Sequence, residues 1–224
     1  MNMEKEKIRY PLIDLIRFMA ILLMVFFHIF YDLYTFRYVK IDFDNNLFWW
    51  GLPRVIVTLF LLAVGLSLPL VHLPKLQKEK FIKRFLQIAL SASGVSILTF
   101  LMFPTRWIYF GTLHCIAVCS VMALPFLNRP TLSIAIAIPL LITSIFFGID
   151  IPWIKLNHLS MDYISPFPWF GVVLIGIFCY HQKWHALLPN LSLPRAVRFA
   201  AKHALIIYLL HQPVIYGVIY LFSE

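Results

Sequence analysis

The sequence predicts an all-α integral membrane protein: about seven transmembrane helices in one bundle, with the N-terminus in the cytoplasm. Three observations point to it. The 224 residues are 61% hydrophobic and only 13% charged, where soluble domains run near 25% charged. The mean hydropathy of +0.84 leaves too little polar surface for a water-facing shell, which also excludes a disordered chain, a collagen and a coiled coil. The apolar residues fall in stretches close to the roughly 20 residues that a helix needs to cross a bilayer. Such crossings consume the chain, so residues 1–224 are expected to form a single multi-pass domain with its chemistry among the helices or in short loops.

The elements follow in order from run length. The first stretch, about Leu12 to Phe36, is longer than a signal-peptide core, carries Asp14 and Arg17 and lacks a small-residue cleavage site, so it is expected to remain as a helix. Further crossings are expected at about Phe48 to Leu70, Lys83 to Phe103, Trp107 to Leu127, Leu132 to Gly148, Pro166 to Tyr180 and Ala204 to Phe222. Asn128, Arg129 and Pro130 make a tight turn between the fourth and fifth. The sixth starts among Pro166, Pro168 and Gly171, which predicts a bent or partly re-entrant segment.

Lysine and arginine positions set the expected orientation. Lys5, Lys7 and Arg9 precede the first helix; Lys75, Lys78, Lys80, Lys83 and Arg84 fill the second loop; Lys183, Arg195, Arg198 and Lys202 follow the sixth crossing. The alternate loops carry only Arg37, Lys40, Arg106 and Lys155. Positive residues stay inside, so the N-terminus is expected in the cytoplasm and, after seven crossings, the C-terminus on the far side. The formal charge of +9 is accounted for by these loops and by anionic lipid headgroups, not by nucleic acid. Cys115, Cys119 and Cys179 lie in apolar stretches and read as core residues.

Ionisable side chains inside the bilayer cost about 2.5–3.5 kcal/mol each on insertion scales, so each needs a partner or a function. The first helix holds Asp14, Arg17, His28 and Asp32, whose separations place them on one stripe. Asp14 can pair with Arg17 as an interfacial anchor, and Asp32 can pair with His28 one turn away. At 1.5 Å per residue, His28 lies about 24 Å from the inner end of its helix, level with Arg54 and His114. His211 comes out deeper, about 10 Å above the inner end of the last helix, yet near enough to share a cavity if the first and last helices are neighbours. A histidine held beside a carboxylate suits a general base, and a buried pair that fixes helix packing is the competing reading. Trp49, Trp50, Trp107, Tyr109, Trp153 and Trp169 read as an interfacial belt. His72, His158, His181 and His185 read as solvated loop residues.

Several strings resemble a known family. Ile13-Asp14-Leu15-Ile16-Arg17-Phe18-Met19-Ala20-Ile21-Leu22-Leu23-Met24-Val25-Phe26-Phe27-His28, followed by Asp32, resembles the first membrane helix of the heparan-alpha-glucosaminide N-acetyltransferase-like family, its short bacterial branch in particular. Leu59 to Ser67, Ile108 to Ala117 and Phe167 to Gly171 resemble its second, fourth and sixth helices. Ala204 to Val214 is similar to its last helix and to that of the wider acyltransferase-3 superfamily. The resemblance implies a multi-pass enzyme of the cell membrane that takes an acetyl group from cytoplasmic acetyl-CoA, as co-substrate, to an amine or hydroxyl of a sugar or glycan precursor. No metal is expected. In the lysosomal branch the reactive histidine lies in the loop after the first helix, and this chain has no histidine between Arg37 and Leu47. Either His28 takes that role or the activity differs.

On that reading His28 is the base or the transiently acylated nucleophile, and Asp32 orients it. Arg54, His114 and His211 complete the catalytic set as donors to developing charge or to the acceptor. Arg17, Lys83 and Arg84 would hold the coenzyme A phosphates. A proton-coupled transporter built on the same His and Asp residues is the alternative, disfavoured by an odd helix count without an inverted repeat.

Overall fold

The computed structural model describes residues 10–43, 45–149 and 151–223. The expected cations Lys5, Lys7 and Arg9 lie outside the described residues. The described residues form eight α-helices: α1 (Pro11–Thr35), α2 (Leu47–His72), α3 (Lys78–Met102), α4 (Thr112–Met122), α5 (Pro130–Phe147), α6 (Pro166–His181), α7 (Arg195–Lys202) and α8 (Ala204–Leu221). Five of them, α1, α2, α3, α5 and α8, are long and apolar enough to cross a membrane, while α4 and α6 are apolar but shorter. The chain is a helical membrane protein.

The boundaries follow local chemistry. Pro11 and Pro130 open α1 and α5 at a position where a missing N–H costs nothing. Asn46 caps α2, its side chain accepting from the backbone N–H groups of Phe48 at 3.0 Å and Trp49 at 3.4 Å. Ser165 caps α6 through Phe167 N–H at 3.3 Å. Gly148 ends α5 at φ +63°, the left-handed conformation that glycine adopts without steric cost. The bend expected at the start of α6 is present: Phe167 has non-helical angles of −107° and 132°.

Two elements differ from expectation. The fourth apolar stretch is helical only over Thr112–Met122. Its first residues run extended instead, Phe110 bridging to Tyr163, with Ile164 N–H bonded to the Phe110 carbonyl at 3.0 Å. Beyond it, Pro125 sits in a single 3-10 turn, Leu124–Phe126. The last crossing, α8, begins at Ala204 as expected, but it is preceded by an unexpected short helix, α7, separated from it only by a break at His203. In α7, Arg195, Arg198 and Lys202 are exposed while Ala201 is buried, and the helix packs against α1.

Helix α2 is central, touching α1, α4 and α6, and α6 in turn carries α5. The backbones of α2 and α6 meet where Gly65 faces Gly176: a Cβ on Gly65 would come within 2.8 Å of the Gly176 Cα. Small residues at such a crossing let two helices approach closely where lipid supplies no hydrophobic drive between them. Helices α1 and α2 run antiparallel, since Phe26 stacks on Trp49 at one end and Arg17 bonds Ser67 at the other. Helices α1 and α8 run parallel: contacts advance together along both, from His28 with His211, through Asp32 with Gln212, to Tyr38 with Phe222.

Of the four histidines read as solvated, His72 is buried and His158, His181 and His185 are half-buried. His72 is 4% exposed at the end of α2, against Phe81. His158 stacks on Trp107 at 5.5 Å, His181 bonds the Leu127 carbonyl at 2.7 Å, and His185 stacks on Tyr180 at 4.5 Å. His158 and His181 each set Nε2 against a backbone carbonyl, whereas His72 Nδ1 and His185 Nδ1 are buried without a hydrogen-bond partner. All three cysteines are buried and free, the Cys115 and Cys119 sulfurs 3.8 Å apart.

Candidate active site

The parallel packing of α1 and α8 brings two of the expected residues into direct contact. The rings of His28 and His211 meet edge to face with centroids 4.6 Å apart. His28 Nδ1 is 2.9 Å from the Met24 carbonyl, and His211 Nδ1 is 2.6 Å from the Tyr208 carbonyl. A carbonyl can only accept, so each Nδ1 donates and each neutral ring keeps its lone pair on Nε2. His211 Nε2 is buried without a hydrogen-bond partner. Two imidazoles with their basic nitrogens uncommitted are thus placed side by side.

The depth arithmetic that put His211 below His28 is corrected by the break at His203. From Pro11 to His28 the rise is about 25 Å, and from Ala204 to His211 about 10 Å. Contact between them means that α8 starts about 15 Å further along the bundle than α1. Helix α7 occupies the intervening depth beside α1.

Asp32 is 2% exposed, but it does not orient His28. Its two carboxylate oxygens accept from Gln212 Nε2 at 2.9 and 3.1 Å, and a backbone carbonyl holds the imidazole instead. The Asp32 and Gln212 pair fixes the register of α1 on α8, one turn beyond the histidines. Gln212 Oε1 is buried and unpartnered. Arg17 likewise does not pair with Asp14 by a hydrogen bond; its guanidinium donates to Ser67 Oγ at 2.7 Å, tying α1 to α2.

The structure does not bring Arg54 to this cluster. Its guanidinium lies 3.7 Å over the Trp50 ring and donates to the Trp50 carbonyl at 2.5 Å, on an exposed face. A planar cation at a helix start finds an aromatic face one turn back more readily than a dry interior. Both nitrogens of His114 are occupied. Gly111 N–H donates to Nδ1 at 3.2 Å, so Nε2 carries the proton that it shares with Ser96 Oγ, 3.2 Å away. Ser96 then donates to the Ile108 carbonyl at 2.6 Å. His114 therefore pins the start of α4 to α3.

Two cavities share Tyr208 as a lining residue, and neither is lined by His28 or His211. The larger, about 60 Å³, is lined by Arg17, Arg84, Phe60, Leu113 and Tyr208 among others. Arg17 and Arg84 come together as expected, whereas Lys83 is exposed and lines neither cavity. The smaller, about 10 Å³, is lined by Asp162, Thr112, His114 and Tyr208 among others. Tyr208 thus belongs to both, and its ring is 5.7 Å from that of His211.

Asp162 carries no signal in the sequence beyond being one carboxylate in a loop, and the reading of the intramembrane residues passed over it. Its Oδ2 accepts from Thr112 N–H at 2.9 Å and from Thr112 Oγ1 at 3.2 Å, at the start of α4. Burial pushes its carboxyl above the usual carboxylate range, opposed by the Thr112 bonds and then by the field of His28. Tyr208 and Gln212 were also missed, although both flank His211 in the string that carries the resemblance.

The sequence model of a family described as heparan-alpha-glucosaminide N-acetyltransferase, catalytic, matches residues 9–213. The chain belongs to this family. The match spans α1 to the middle of α8, so both histidines, both cavities and Asp162 fall inside the family's catalytic region. A heparan-alpha-glucosaminide N-acetyltransferase family member with several apolar helices is a multi-pass membrane acyltransferase in general terms. No curated protein and no solved structure matches the chain. Among the described residues no group of three or more His, Cys, Asp or Glu side chains could hold a metal ion.

Proposed function

We propose that the protein moves an acetyl group from cytoplasmic acetyl-CoA to an amine or hydroxyl of a sugar or glycan precursor, with His28 as the base. The observation that carries this reading is the continuity from Arg17 and Arg84, through the larger cavity, to Tyr208 and so to the paired histidines. The guanidinium groups of Arg17 and Arg84 that line the cavity suit the phosphates of coenzyme A, because each can present two parallel N–H donors to oxygen. Lys83, exposed just beyond, meets the same anion from outside.

His28 Nε2 takes a proton from the acceptor as its N or O attacks the thioester carbonyl carbon. His211, its Nε2 free, accepts a second hydrogen bond from the acceptor or from the imidazolium that His28 becomes. The carbon–sulfur bond then breaks, and the departing thiolate takes up a proton to leave as coenzyme A. Asp32 acts at one remove, holding Gln212 and hence the relative positions of the two histidines. The oxyanion role expected of Arg54 and His114 is not given to them, since Arg54 lies over Trp50 on an exposed face away from the cluster and the His114 donor is spent on Ser96.

The orientation goes with this reading. We assign the α1 N-terminus, the start of α3 and the exposed basic face of α7 to the cytoplasm of the cell membrane, in contact with anionic headgroups. With α4 and α6 counted as crossings, there are seven.

The test uses purified protein in nanodiscs with radiolabelled acetyl-CoA and a panel of amino sugars. His28→Ala is expected to lower turnover by about 10²- to 10⁴-fold while leaving acetyl-CoA binding within a few-fold. Arg17→Ala is expected to raise the KM for acetyl-CoA by about 10- to 100-fold, the equivalent of one charge-assisted hydrogen bond. Absence of both turnover and acetyl-CoA binding in the wild type defeats the proposal.

A further inference from the structure

The segment between α5 and α6 is built inside out. Several of its polar side chains are spent within the protein: His158 Nε2 donates to the Trp107 carbonyl at 3.3 Å, Ser160 Oγ donates to the Asp162 carbonyl at 2.9 Å, and Asp162 accepts from Thr112 N–H at 2.9 Å. Its large apolar side chains turn outward instead. Ile149, Ile151, Ile154, Leu156, Leu159 and Met161 are all exposed, Ile154 at 61% and Leu159 at 81%, with Lys155 and Asn157 exposed among them. A loop in water has the opposite arrangement, because apolar area left in water forgoes about 25 cal/mol per Å².

Helix register sets the depth of this loop. Helices α2 and α6 run parallel, since Gly65 faces Gly176 and, further along each, Leu66 and Cys179 share a buried cluster. From Gly65 back to Leu47 the rise is about 27 Å, and from Gly176 back to Pro166 about 15 Å. Helix α6 therefore starts about 12 Å short of the α2 start. The start of α4 lies at a similar level, with Cys115 Sγ 3.7 Å from the carbonyl of Ser165, the α6 cap. The two short helices leave a hollow at the end of the bundle opposite Pro11, and the loop fills it within the depth that α2 crosses.

Irregular backbone is not tolerated against hydrocarbon unless its polar groups are paired. The deep part of the loop meets that condition: Met161 N–H bonds to the Arg106 carbonyl and Ile164 N–H to the Phe110 carbonyl, each at 3.0 Å. The outer part, with Lys155 and Asn157, belongs at the hydrated headgroup level, where apolar side chains can point inward to acyl chains and a cation can meet phosphate. The apolar exposure is also continuous with the ends of α3 and α5, where Leu101, Met102, Phe146 and Phe147 are exposed on helices that cross the membrane.

We propose that residues 149–161 form a membrane anchor, with Ile154 and Leu159 inserted among the acyl chains of the leaflet opposite the α1 N-terminus and Lys155 at its phosphates. The occupant of this surface is lipid. The loop seats the short helices α4 and α6 in that leaflet, a role separate from acetyl transfer.

The test is fluorescence quenching on the full chain in phosphatidylcholine nanodiscs. The native cysteines are buried, so Leu159→Cys and, separately, Ile154→Cys each carry one thiol-linked fluorophore. Lys40→Cys, exposed in the α1–α2 loop at the same end, is the aqueous reference. Lipids bearing a nitroxide just below the headgroup are expected to quench the labels at 159 and 154 about threefold more than the label at 40, and iodide about threefold less. Iodide quenching at 159 or 154 equal to that at 40 places the loop in water and overturns the proposal. Shielding from both quenchers shows a second copy of the chain covering the loop and overturns it equally. If one variant fails to fold, the other decides. Neither acetyl-CoA binding nor turnover enters the readout, so failure of the transfer reading leaves this test intact.

Discussion

Hydrogen-bond arithmetic at single residues separates structural from reactive polar groups in this protein. Both ring nitrogens of His114 are paired and Arg54 lies over Trp50 on an exposed face, whereas His211 Nε2 and Gln212 Oε1 are enclosed without partners, as are single nitrogens of His72, Trp153 and His185. An enclosed, unpaired polar atom costs about 1–3 kcal/mol, which a fold retains when a ligand fills the gap. Gln212→Leu would leave the Asp32 carboxylate, 2% exposed, with neither donor. The expected outcome is a loss of roughly 1–3 kcal/mol, read as a lower midpoint in thermal melts in detergent. Asp162 gives a pH test. Its folded-state carboxyl sits above the ordinary range, chiefly through burial, so the stability it contributes is present at low pH and is lost as pH rises through that raised value. Asp162→Asn removes the titration, and the variant's melting temperature relative to wild type is expected to climb as pH increases from about 4. A difference that stays flat with pH would contradict the burial argument. None of this pairing was legible in the sequence. Spacing put Asp32 one turn from His28, but a backbone carbonyl and a glutamine 180 residues away took the bonds.

Among the elements, most helix positions could be read from run length and from breakers, because a bilayer-crossing helix announces itself by uninterrupted apolar residues. Helices α1, α2, α3, α5, α6 and α8 lie close to their expected ranges. The misreadings come where a tertiary contact competes with helix formation. The stretch Trp107 to Gly111 is apolar, yet it pairs with the 161–164 segment and satisfies its backbone there. Helix α7 is too polar to register as part of a crossing, and it holds its place through Ala201 and its packing on α1. The Gly65 and Gly176 contact is the tightest joint between elements. Gly65→Val places carbon where the α6 backbone already stands, and overpacking of this kind costs about 1–3 kcal/mol or more. The expected result is loss of the monodisperse peak in size-exclusion chromatography, while Gly94→Val, with nothing within 4 Å of the added carbon, elutes as wild type.

For the molecule as a whole, parallel packing of α1 and α8 places Phe36 and Phe222 at the same end, opposite Pro11. Lys78, Lys80 and Arg84 at the start of α3 follow the end of α2 that lies near Arg17, so these cations lie toward the Pro11 end. A reporter fused after Glu224 is accordingly expected to be active on the far side of the membrane and silent in the cytoplasm; cytoplasmic activity would show a miscounted crossing. The sequence by itself determined the solvent, the helical class and the family, because length and hydropathy of each stretch are local properties and the family's strings recur in order along the chain. Only the tertiary structure decided which polar residues work together. That depends on helix register: a break at His203 shifts α8 by about ten residues' rise, or about 15 Å, and it is this shift that sets His211 against His28, Gln212 against Asp32, and Tyr208 between Arg17 and Asp162.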